Sequence, residues 1–222
     1  MFQNNLKSLV KKNSLLWGKE VAEDYHKAAE RDMEMHWNGY VEPALARHAI
    51  DYSEVVDFAC GYGRNTDFLL RRAGRVSMVD VNKHNIEYCR AKYQNNQRVE
   101  VRACNGYDLG DIGEASCTFF YTFDSMVHFP LRIVEAYLPE FFRVLKPGGY
   151  ALVHHSNYTK AGPNADFKKN PHWRNYMSAE IFAGLAKAAG FVVAEQTVHP
   201  WGVPNLDCVT ILLKPHLETA AN

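Results

Sequence analysis

The sequence has no excess charge of either sign. Lys and Arg total 25 and Asp and Glu also total 25 among 222 residues, so no net field draws the protein toward nucleic acid or an anionic membrane. No apolar run approaches the length of a membrane-spanning helix, and the first residues, MFQNNLKSLVKKNSLLWGKE, lack the apolar core and cleavage site of a signal peptide. These absences predict a cytoplasmic protein with a small or neutral partner, no nucleic acid and no membrane.

Cysteine is scarce, and internal repeats and Pro/Ser-rich linkers are missing. The cysteines are odd in number and contain no C-x-x-C pair, which argues against a disulfide framework and a structural zinc site. They are Cys60, Cys89, Cys104, Cys117 and Cys208, and we expect most of them in the core. The uniform composition favours one main domain, 51–222, with a helical N-terminal appendage, 1–50.

What the sequence does contain is an alternation of strand-like and helix-like segments. Buried strands are predicted at 54–60, 75–80, 98–104, 116–124 and 149–156, with helices at 65–72, 83–93, 131–145 and 178–189. Ser178 is a plausible N-cap and Gly190 a left-handed C-cap of the last helix. Such alternation is typical of a parallel sheet with helices on both faces. The final strands, 191–200 and 206–214, are joined too closely for a crossover helix and must be antiparallel neighbours.

The stretch VVDFACGYGRNTDFLL, residues 55–70, contains a glycine turn between a strand and a helix. Gly61 and Gly63 fall at the carboxyl edge of the sheet, where open α/β folds bind ligands against the backbone. Thr66 stands where the dinucleotide pattern G-x-G-x-x-G requires a third glycine, so NAD is disfavoured. Asp57 lies inside the strand and needs a partner, such as backbone amides or a ligand ammonium. Asp80, at the end of the next strand, is placed to accept both hydroxyls of a ribose.

Five ordered segments resemble the motifs of class I S-adenosylmethionine-dependent methyltransferases. They are residues 57–63, Asp80, CNGYDL at 104–109, FYTFDSMVHF at 120–129 and LKPGGYALV at 145–153. The resemblance spans 55–214 and implies an α/β fold: a Rossmann-like, seven-stranded, mostly parallel sheet with an antiparallel last strand and helices on both faces. Ala59 departs from the family, which often has glycine there; because alanine tolerates a negative φ, we expect little cost.

The resemblance also implies which residues bind the cofactor, S-adenosylmethionine. Gly61 and Gly63 would make room for the methionine moiety, Asp57 would order the turn or hold the amino group, and Asn105 would lie beside the adenine. Asp124 and Ser125 would close the fourth strand near the transferable methyl. The full expected set is Asp57, Ala59, Gly61, Gly63, Asp80, Val81, Asn105, Gly106, Asp124 and Ser125. The alternative for Asp80, Asn105 and Asp124 is that each caps a turn.

Two histidines are candidates for a catalytic base. If the strand register is right, His128 and His155 point toward the catalytic edge of the sheet, whereas His154 points to the opposite face. Either could deprotonate a hydroxyl or amine, and the alternative for both is a histidine packed in a loop. A metal mechanism would need a cluster of oxygen ligands. Asp124 and Asn157 offer two, and no further carboxylate stands at the expected place, so we expect no metal.

The substrate is expected to contact two segments outside the shared core. The N-terminal segment carries Trp17, Tyr25 and Trp37 at helical spacing and could form a lid over the cleft. An insertion at about 156–177 contains Trp173 and Arg174, and the arginine suits a planar anion. The alternatives are ordinary ring packing and a surface salt bridge.

The expected function is methyl transfer to an oxygen or nitrogen of a small-molecule acceptor. RNA or protein methylation is the alternative within enzymes, although neutral charge weighs against RNA. A non-catalytic S-adenosylmethionine-binding protein is the alternative from another class, and a dehydrogenase is less favoured still. A homodimer is one of the arrangements that the sequence leaves open.

Overall fold

The computed structural model describes residues 2–14, 17 and 27–216. Tyr25 lies outside these residues. Helix α1 spans Phe2–Ser14, and α2 covers 33–45 as Met33–His36, the π-helical turn Trp37–Val41, and Glu42–Leu45. Residues 27–31 are helical as well. The described helices contain none that is long and apolar enough to cross a membrane.

Strands and helices then alternate as the sequence predicts. The elements are β1 (Glu54–Phe58), α3 (Arg64–Leu69), β2 (Arg75–Asp80), α4 (Lys83–Lys92), β3 (Val99–Ala103), β4 (Cys117–Thr122), α5 (Leu131–Val144), β5 (Leu145–Ser156), α6 (Ala179–Ala188), β6 (Val192–His199) and β7 (Asp207–Leu213). Single 3₁₀ turns form at Met126–His128, Phe167–Lys169 and Pro171–Trp173.

The strands form one seven-stranded sheet in the order β3-β2-β1-β4-β5-β7-β6. Strands β1 to β5 pair in parallel, and β7 runs antiparallel to both β5 and β6. The predicted Rossmann-like sheet with a reversed last strand is therefore confirmed. Because β1 and β4 are neighbours, the loops that follow them open side by side at the carboxyl edge, where a ligand can enter.

The caps predicted for α6 are confirmed. Ser178 Oγ accepts a hydrogen bond from the Ile181 N–H at 3.2 Å. Gly190 has φ +100, a left-handed conformation that glycine adopts without steric cost. These contacts set the bounds of the helix from local sequence alone.

Two strand predictions need correction. β3 is only partly buried because it is an edge strand with one sheet neighbour, Val99 and Val101 being half-buried and Glu100 exposed. β5 begins at Leu145, ahead of the predicted start at 149, and includes the KPGG segment. A register shift between Cys117 and Phe119 of β4 accommodates this start.

Apolar side chains cover both faces of the sheet. On the first face, Phe58, Phe120 and Val153 pack with α1, α5 and α6. On the second face, Tyr121, Leu152 and others pack with α2, α3 and α4. Side chains alternate along each strand, so neighbouring residues of one strand face opposite sides of the sheet.

Candidate active site

A cleft opens at the carboxyl edge of the sheet and is roofed by α1. Its empty volume is about 1090 Å³, including space open to solvent. The lining comes from the loops after β1 to β4, from α1 and from the start of α5. The residues are Val10, Asn13, Ser14, Trp17, Glu30, Phe58, Ala59, Cys60, Gly61, Tyr62, Arg64, Asn65, Asp80, Val81, Asn82, Asn85, Cys104, Gly106, Phe123, Asp124, Ser125, His128, Phe129, Pro130, Ile133 and Tyr137.

The turn after β1 is left-handed at three positions. Ala59 and Gly61 both have φ +55 and line the cleft, and Gly63 has φ +80. The expectation that Ala59 keeps a negative φ is therefore wrong. A left-handed alanine costs about 1 kcal/mol or more relative to glycine, so this turn carries a strain that glycine at this position would avoid.

Gly63 and Asp57 lie behind the turn and do not reach the cleft. A Cβ on Gly63 would come within 2.8 Å of Met78 Cε and of the Tyr93 hydroxyl, so the missing side chain makes room for core residues and not for a ligand. Asp57 is buried on the second face, where the Thr66 hydroxyl donates to its Oδ2 at 2.5 Å. Burial raises the pKa of Asp57 to about 7. Neither residue lines the cleft, so the structure does not support their expected direct contact with the cofactor.

Asp80 is buried at the end of β2 and lines the cleft. The Gly61 N–H donates to its Oδ2 at 3.0 Å, and the Asn82 N–H donates to its Oδ1 at 2.7 Å. Asn85 Nδ2 also donates to Oδ1, at 3.2 Å. Burial raises the pKa of Asp80, and these hydrogen bonds oppose that effect. The carboxylate is thus fixed at the cleft wall; Oδ1 accepts two hydrogen bonds and Oδ2 accepts one, which leaves a lone-pair site on Oδ2 for a ribose hydroxyl.

The segments that follow β2 and β3 also contribute to the lining of the cleft. Val81 and Gly106 line the cleft, but Asn105 is exposed and does not. The Asn105 side chain accepts from the Tyr107 and Asp108 N–H groups at 3.0 and 2.9 Å. It caps a turn, which was the alternative reading of this residue. Gly106 has φ +90, and a Cβ there would lie 2.3 Å from Val10 Cγ1, so this glycine receives α1.

Asp124 and Ser125 follow β4 and line the cleft. Asp124 has φ +55, and its N–H donates to His154 Nδ1 at 3.0 Å. Its carboxylate accepts from Arg64 Nη2 at 2.8 Å and lies 3.8 Å from Arg174 Nη2. Burial alone would raise the pKa of Asp124, but the two arginines outweigh it and hold the pKa well below its usual range. The group is an anion at neutral pH.

His128 is the buried imidazole of the cleft. Its Nδ1 lies 2.9 Å from the Trp173 carbonyl oxygen, so Nδ1 carries the proton and Nε2 is the unprotonated nitrogen. Burial lowers the pKa of His128 to about 4, and nearby Arg174 adds to this. The Trp17 ring, which also lines the cleft, is tilted against the imidazole with 4.5 Å between ring centroids. A neutral base and an aromatic face therefore meet at this end of the cleft.

His155 does not face the cleft, contrary to the prediction. It lies on the first face with its ring stacked on Phe182 of α6 at 3.9 Å. Its Nδ1 bonds the Ser156 carbonyl oxygen at 2.9 Å, and its Nε2 meets the Thr210 hydroxyl at 2.8 Å. Both nitrogens are satisfied inside the core. His154 instead points toward Asp124. The side chains of β5 therefore alternate between the two faces of the sheet in the opposite phase from the predicted one.

Trp37 and Arg174 are also structural, contrary to their expected contact with substrate. Trp37 packs on the second face against Phe68 and Tyr121, at 5.1 and 6.0 Å. Arg174 is buried and donates from Nε and Nη2 to Asp207 at 2.8 and 2.5 Å. Neither side chain lines the cleft.

Trp173 lies behind the aromatic end of the cleft. Its ring centroid is 6.0 Å from that of Trp17, and its carbonyl oxygen fixes the ring of His128. It supports lining residues without being one of them. Among residues 2–14, 17 and 27–216, no group of three or more His, Cys, Asp or Glu side chains is placed to hold a metal ion.

Sequence reasoning missed Arg64, Val10 and His154. Arg64 follows Gly63 directly, and a cation at the start of the helix after a glycine turn was a usable signal. Val10 and His154 gave no such signal, because their roles depend on contacts with Gly106 and Asp124, which are distant in the chain.

The sheet order and the position of the cleft define the class I methyltransferase architecture, and comparison with known proteins agrees. Residues 55–149 match the family model described as a methyltransferase domain. A protein of Mycolicibacterium smegmatis named as a probable S-adenosylmethionine-dependent methyltransferase is 30% identical over 156 residues, covering 69% of this chain and 58% of the relative. An S-adenosyl-L-methionine-dependent Diels–Alderase of Talaromyces variabilis is 30% identical over 164 residues, covering 64% of this chain and 54% of the relative.

Among solved structures, the geranyl diphosphate C-methyltransferase of Streptomyces coelicolor A3(2) superposes with a TM-score of 0.66 over 90% of this chain and 87% of its own, at 15% identity. That identity supports the fold alone. The chain spans little more than half the length of the two curated relatives. It carries a class I S-adenosylmethionine-dependent methyltransferase domain, as the motifs predict, and S-adenosylmethionine is the cofactor of that domain.

Proposed function

We propose that this protein transfers the methyl group of S-adenosylmethionine to an oxygen or nitrogen of a small-molecule acceptor. The observation that carries the proposal is the roofed cleft, in which the neutral imidazole of His128 and the ring of Trp17 meet beside the turn after β4. From the N-terminal segment, α1 and Trp17 supply the roof, and the loops of the domain 51–222 after β1 to β4 supply the floor. The insertion at about 156–177 supports the floor through Trp173.

Several groups that line the cleft support the binding of the cofactor there. Asp80, held by the Gly61 and Asn82 N–H groups, offers a preorganised carboxylate to the ribose hydroxyls. Val81 and Cys104 border a largely apolar slot suited to adenine, and left-handed Gly61 exposes backbone beside the methionine end. When bound, the cofactor supplies an activated methyl group on a sulfonium. The residues of this chain then have to bind, orient and exclude water.

His128 is placed to take the proton that an O–H or N–H acceptor loses. Its Nδ1–H is held by the Trp173 carbonyl oxygen, so the lone pair on Nε2 is available. With a pKa of about 4, the imidazole stays neutral at physiological pH and accepts a proton only as the acceptor loses it in the reaction.

The acceptor end of the cleft favours a compact, flat molecule. Trp17 gives an apolar wall beside His128, and α1 lines the cleft as well. A folded RNA or a protein surface would need an open approach, which this roof obstructs. We therefore rank a small-molecule acceptor above RNA or protein.

The experiment is a methyl-transfer assay with a panel of small phenols, carboxylic acids and amines, monitored by formation of S-adenosylhomocysteine. At least one acceptor class should give turnover that stops when the acceptor is omitted. Turnover only with RNA or protein would contradict the proposed acceptor class.

A second candidate is S-adenosylmethionine-dependent chemistry without methyl transfer, or binding of the cofactor alone. The Diels–Alderase among the relatives supports this candidate. Tight cofactor binding with no S-adenosylhomocysteine formed on any acceptor would favour it.

A further inference from the structure

A buried carboxylate outside the cleft, that of Asp207, has no part in the chemistry derived so far. Asp207 is the first residue of β7, is buried and does not line the cleft. Its oxygens accept from Arg174 Nε at 2.8 Å and from Arg174 Nη2 at 2.5 Å, and His154 Nε2 lies 3.1 Å from Oδ2. A buried carboxylate is costly unless it is paired. Asp207 is paired twice, with one side chain of the insertion and one of β5.

Both partners of Asp207 also contact Asp124, which lines the cleft. On the backbone side, the Asp124 N–H donates to His154 Nδ1 at 3.0 Å. On the carboxylate side, Arg174 Nη2 lies 3.8 Å from Asp124 Oδ1. Two separate side chains therefore connect Asp207 to Asp124, although β5 lies between β7 and β4 in the sheet.

The connection through His154 sets a tautomer. Because a carboxylate only accepts, His154 Nε2 carries the proton that it shares with Asp207, and Nδ1 is the nitrogen that accepts the Asp124 N–H. Asp124 has φ +55, a left-handed conformation that is strained for a residue with a Cβ. Such a conformation persists where the surrounding structure holds it, and the bond to His154 is one of the contacts that hold it.

The connection through Arg174 is a competition between two carboxylates. Arg174 Nη2 is hydrogen-bonded to Asp207, and it would have to move about 1 Å to reach the same distance from Asp124. The Asp124 carboxylate already accepts from Arg64 Nη2 at 2.8 Å. A second guanidinium drawn fully onto it would occupy acceptor sites that a ligand donor in the cleft requires. The charge of Asp207 keeps Arg174 on the β7 side.

We propose that Asp207 is a positioning residue for Asp124, acting through His154 and Arg174. It holds Arg174 away from the Asp124 carboxylate, and it holds the Asp124 backbone in its left-handed turn. The inference rests on the proposed function, because it requires that a ligand of this cleft contacts Asp124.

The first test is calorimetry with S-adenosylhomocysteine on Asp207→Asn and on the neutral pair Arg174→Gln, Asp207→Asn. In Asp207→Asn the buried arginine moves toward Asp124, and the affinity should fall about tenfold, the size of one charge-assisted hydrogen bond. The neutral pair has no guanidinium to redirect, so its affinity should return to within about threefold of wild type. Loss of stability alone predicts no such return, and the binding stoichiometry reports the folded fraction of each variant.

The second test changes the connection through His154 and leaves the buried charges in place. His154→Phe keeps a ring that can stack on Phe123, as His154 does at 4.4 Å, but it cannot accept the Asp124 N–H. It should lose about tenfold in affinity for S-adenosylhomocysteine. His154→Asn places an amide oxygen close to the position of Nδ1 and should retain most of the affinity. This pair tests the inference even where Asp207→Asn fails to fold.

Two further variants complete the experiment. Asp111→Asn removes an exposed carboxylate that pairs with Arg102, and it should leave the affinity unchanged. Asp124→Asn removes the positioned group and should lose at least as much affinity as Asp207→Asn. Unchanged affinity in Asp124→Asn, no recovery in the neutral pair, or equal losses in the two His154 variants would overturn the inference. A wild-type protein that binds no S-adenosylhomocysteine would overturn the proposed function, and the inference with it.

Discussion

At the scale of single residues, chemistry depends on which side-chain nitrogen or oxygen atom can still accept a proton or a hydrogen bond. His128 shows this most clearly, because a backbone carbonyl fixes its Nδ1 proton and burial keeps its ring neutral. The residue thereby has one role open to it in the cleft, that of a proton acceptor at Nε2.

Replacement of His128 by Gln should abolish most of the methyl transfer without weakening cofactor binding. We expect a loss of about a hundredfold or more, the usual contribution of a positioned base. In the wild-type protein the rate should be full at neutral pH and fall with a midpoint near pH 4, as His128 becomes protonated. The assay uses the best acceptor of the panel, with calorimetry of S-adenosylhomocysteine in parallel.

His48→Gln is the control, since His48 lies at the far side of the molecule beside Glu195. Full activity in His128→Gln would show that the acceptor reacts without this base.

His155 should make the fold sensitive to acid. Burial lowers the pKa of His155 to about 3, against 6.5 for the exposed side chain. Between these two pH values the unfolded chain binds a proton at His155 and the folded chain does not. Its contribution to stability is complete above pH 6.5 and is lost as the pH falls toward 3. Between pH 6 and 4, His155→Gln should reduce the slope of unfolding free energy against pH by about 1.4 kcal/mol per unit.

Urea unfolding at several pH values measures that slope for both proteins. Identical slopes would mean that His155 is not held neutral in the folded state.

Elements differ in how far the sequence could predict them. The α6 caps and the antiparallel β6–β7 pair follow from local signals, namely Ser178, Gly190 and a short connection. The faces of β1 and β5 did not follow. Both strands are apolar on each side, so alternation could not show whether Asp57 or His155 pointed to the ligand, and β5 starts four residues earlier than expected.

Long-range polar contacts were equally hidden from the sequence. Arg174 seemed available for a substrate anion because its partner Asp207 lies 33 residues away on a different element. Trp37 belongs to a helical pattern that fits a lid as well as a core. Its packing against the second face of the sheet shows that it belongs to the core. The cofactor motifs were predictable because their residues are close in sequence.

Helix α1 closes the cleft, and its Val10 packs closely against Gly106. Because a Cβ on Gly106 would overlap Val10, Gly106→Ala should lift α1, weaken binding of S-adenosylhomocysteine severalfold and speed its dissociation. Gly110→Ala is a matched control. Gly110 lies in the same loop at φ +60 and has nothing within 4 Å of its would-be Cβ, so it shares the backbone strain without the clash.

Stopped-flow dissociation of S-adenosylhomocysteine compares the two variants. Partial recovery in a Val10→Ala, Gly106→Ala double variant would support the contact. Equal behaviour of both single variants would show that α1 does not rest on Gly106.

At the scale of the whole molecule, the sheet order decides which residues meet. Placing β1 between β2 and β4 brings Gly61, Asp80 and Asp124 to one edge from three separate loops. The chain is neutral overall, yet the described charged residues of this cleft are mostly acidic. That local field suits a cofactor whose net charge is positive.

The most direct measurement is calorimetry of the protein with S-adenosylmethionine, S-adenosylhomocysteine and NAD, repeated on Asp80→Ala. The first two should bind and NAD should not. Asp80→Ala should weaken their binding by about 1 to 3 kcal/mol, through the lost hydrogen bonds to the ribose, with the fold retained. Binding of NAD alone, or affinity untouched by Asp80→Ala, would contradict the placement of S-adenosylmethionine in this cleft.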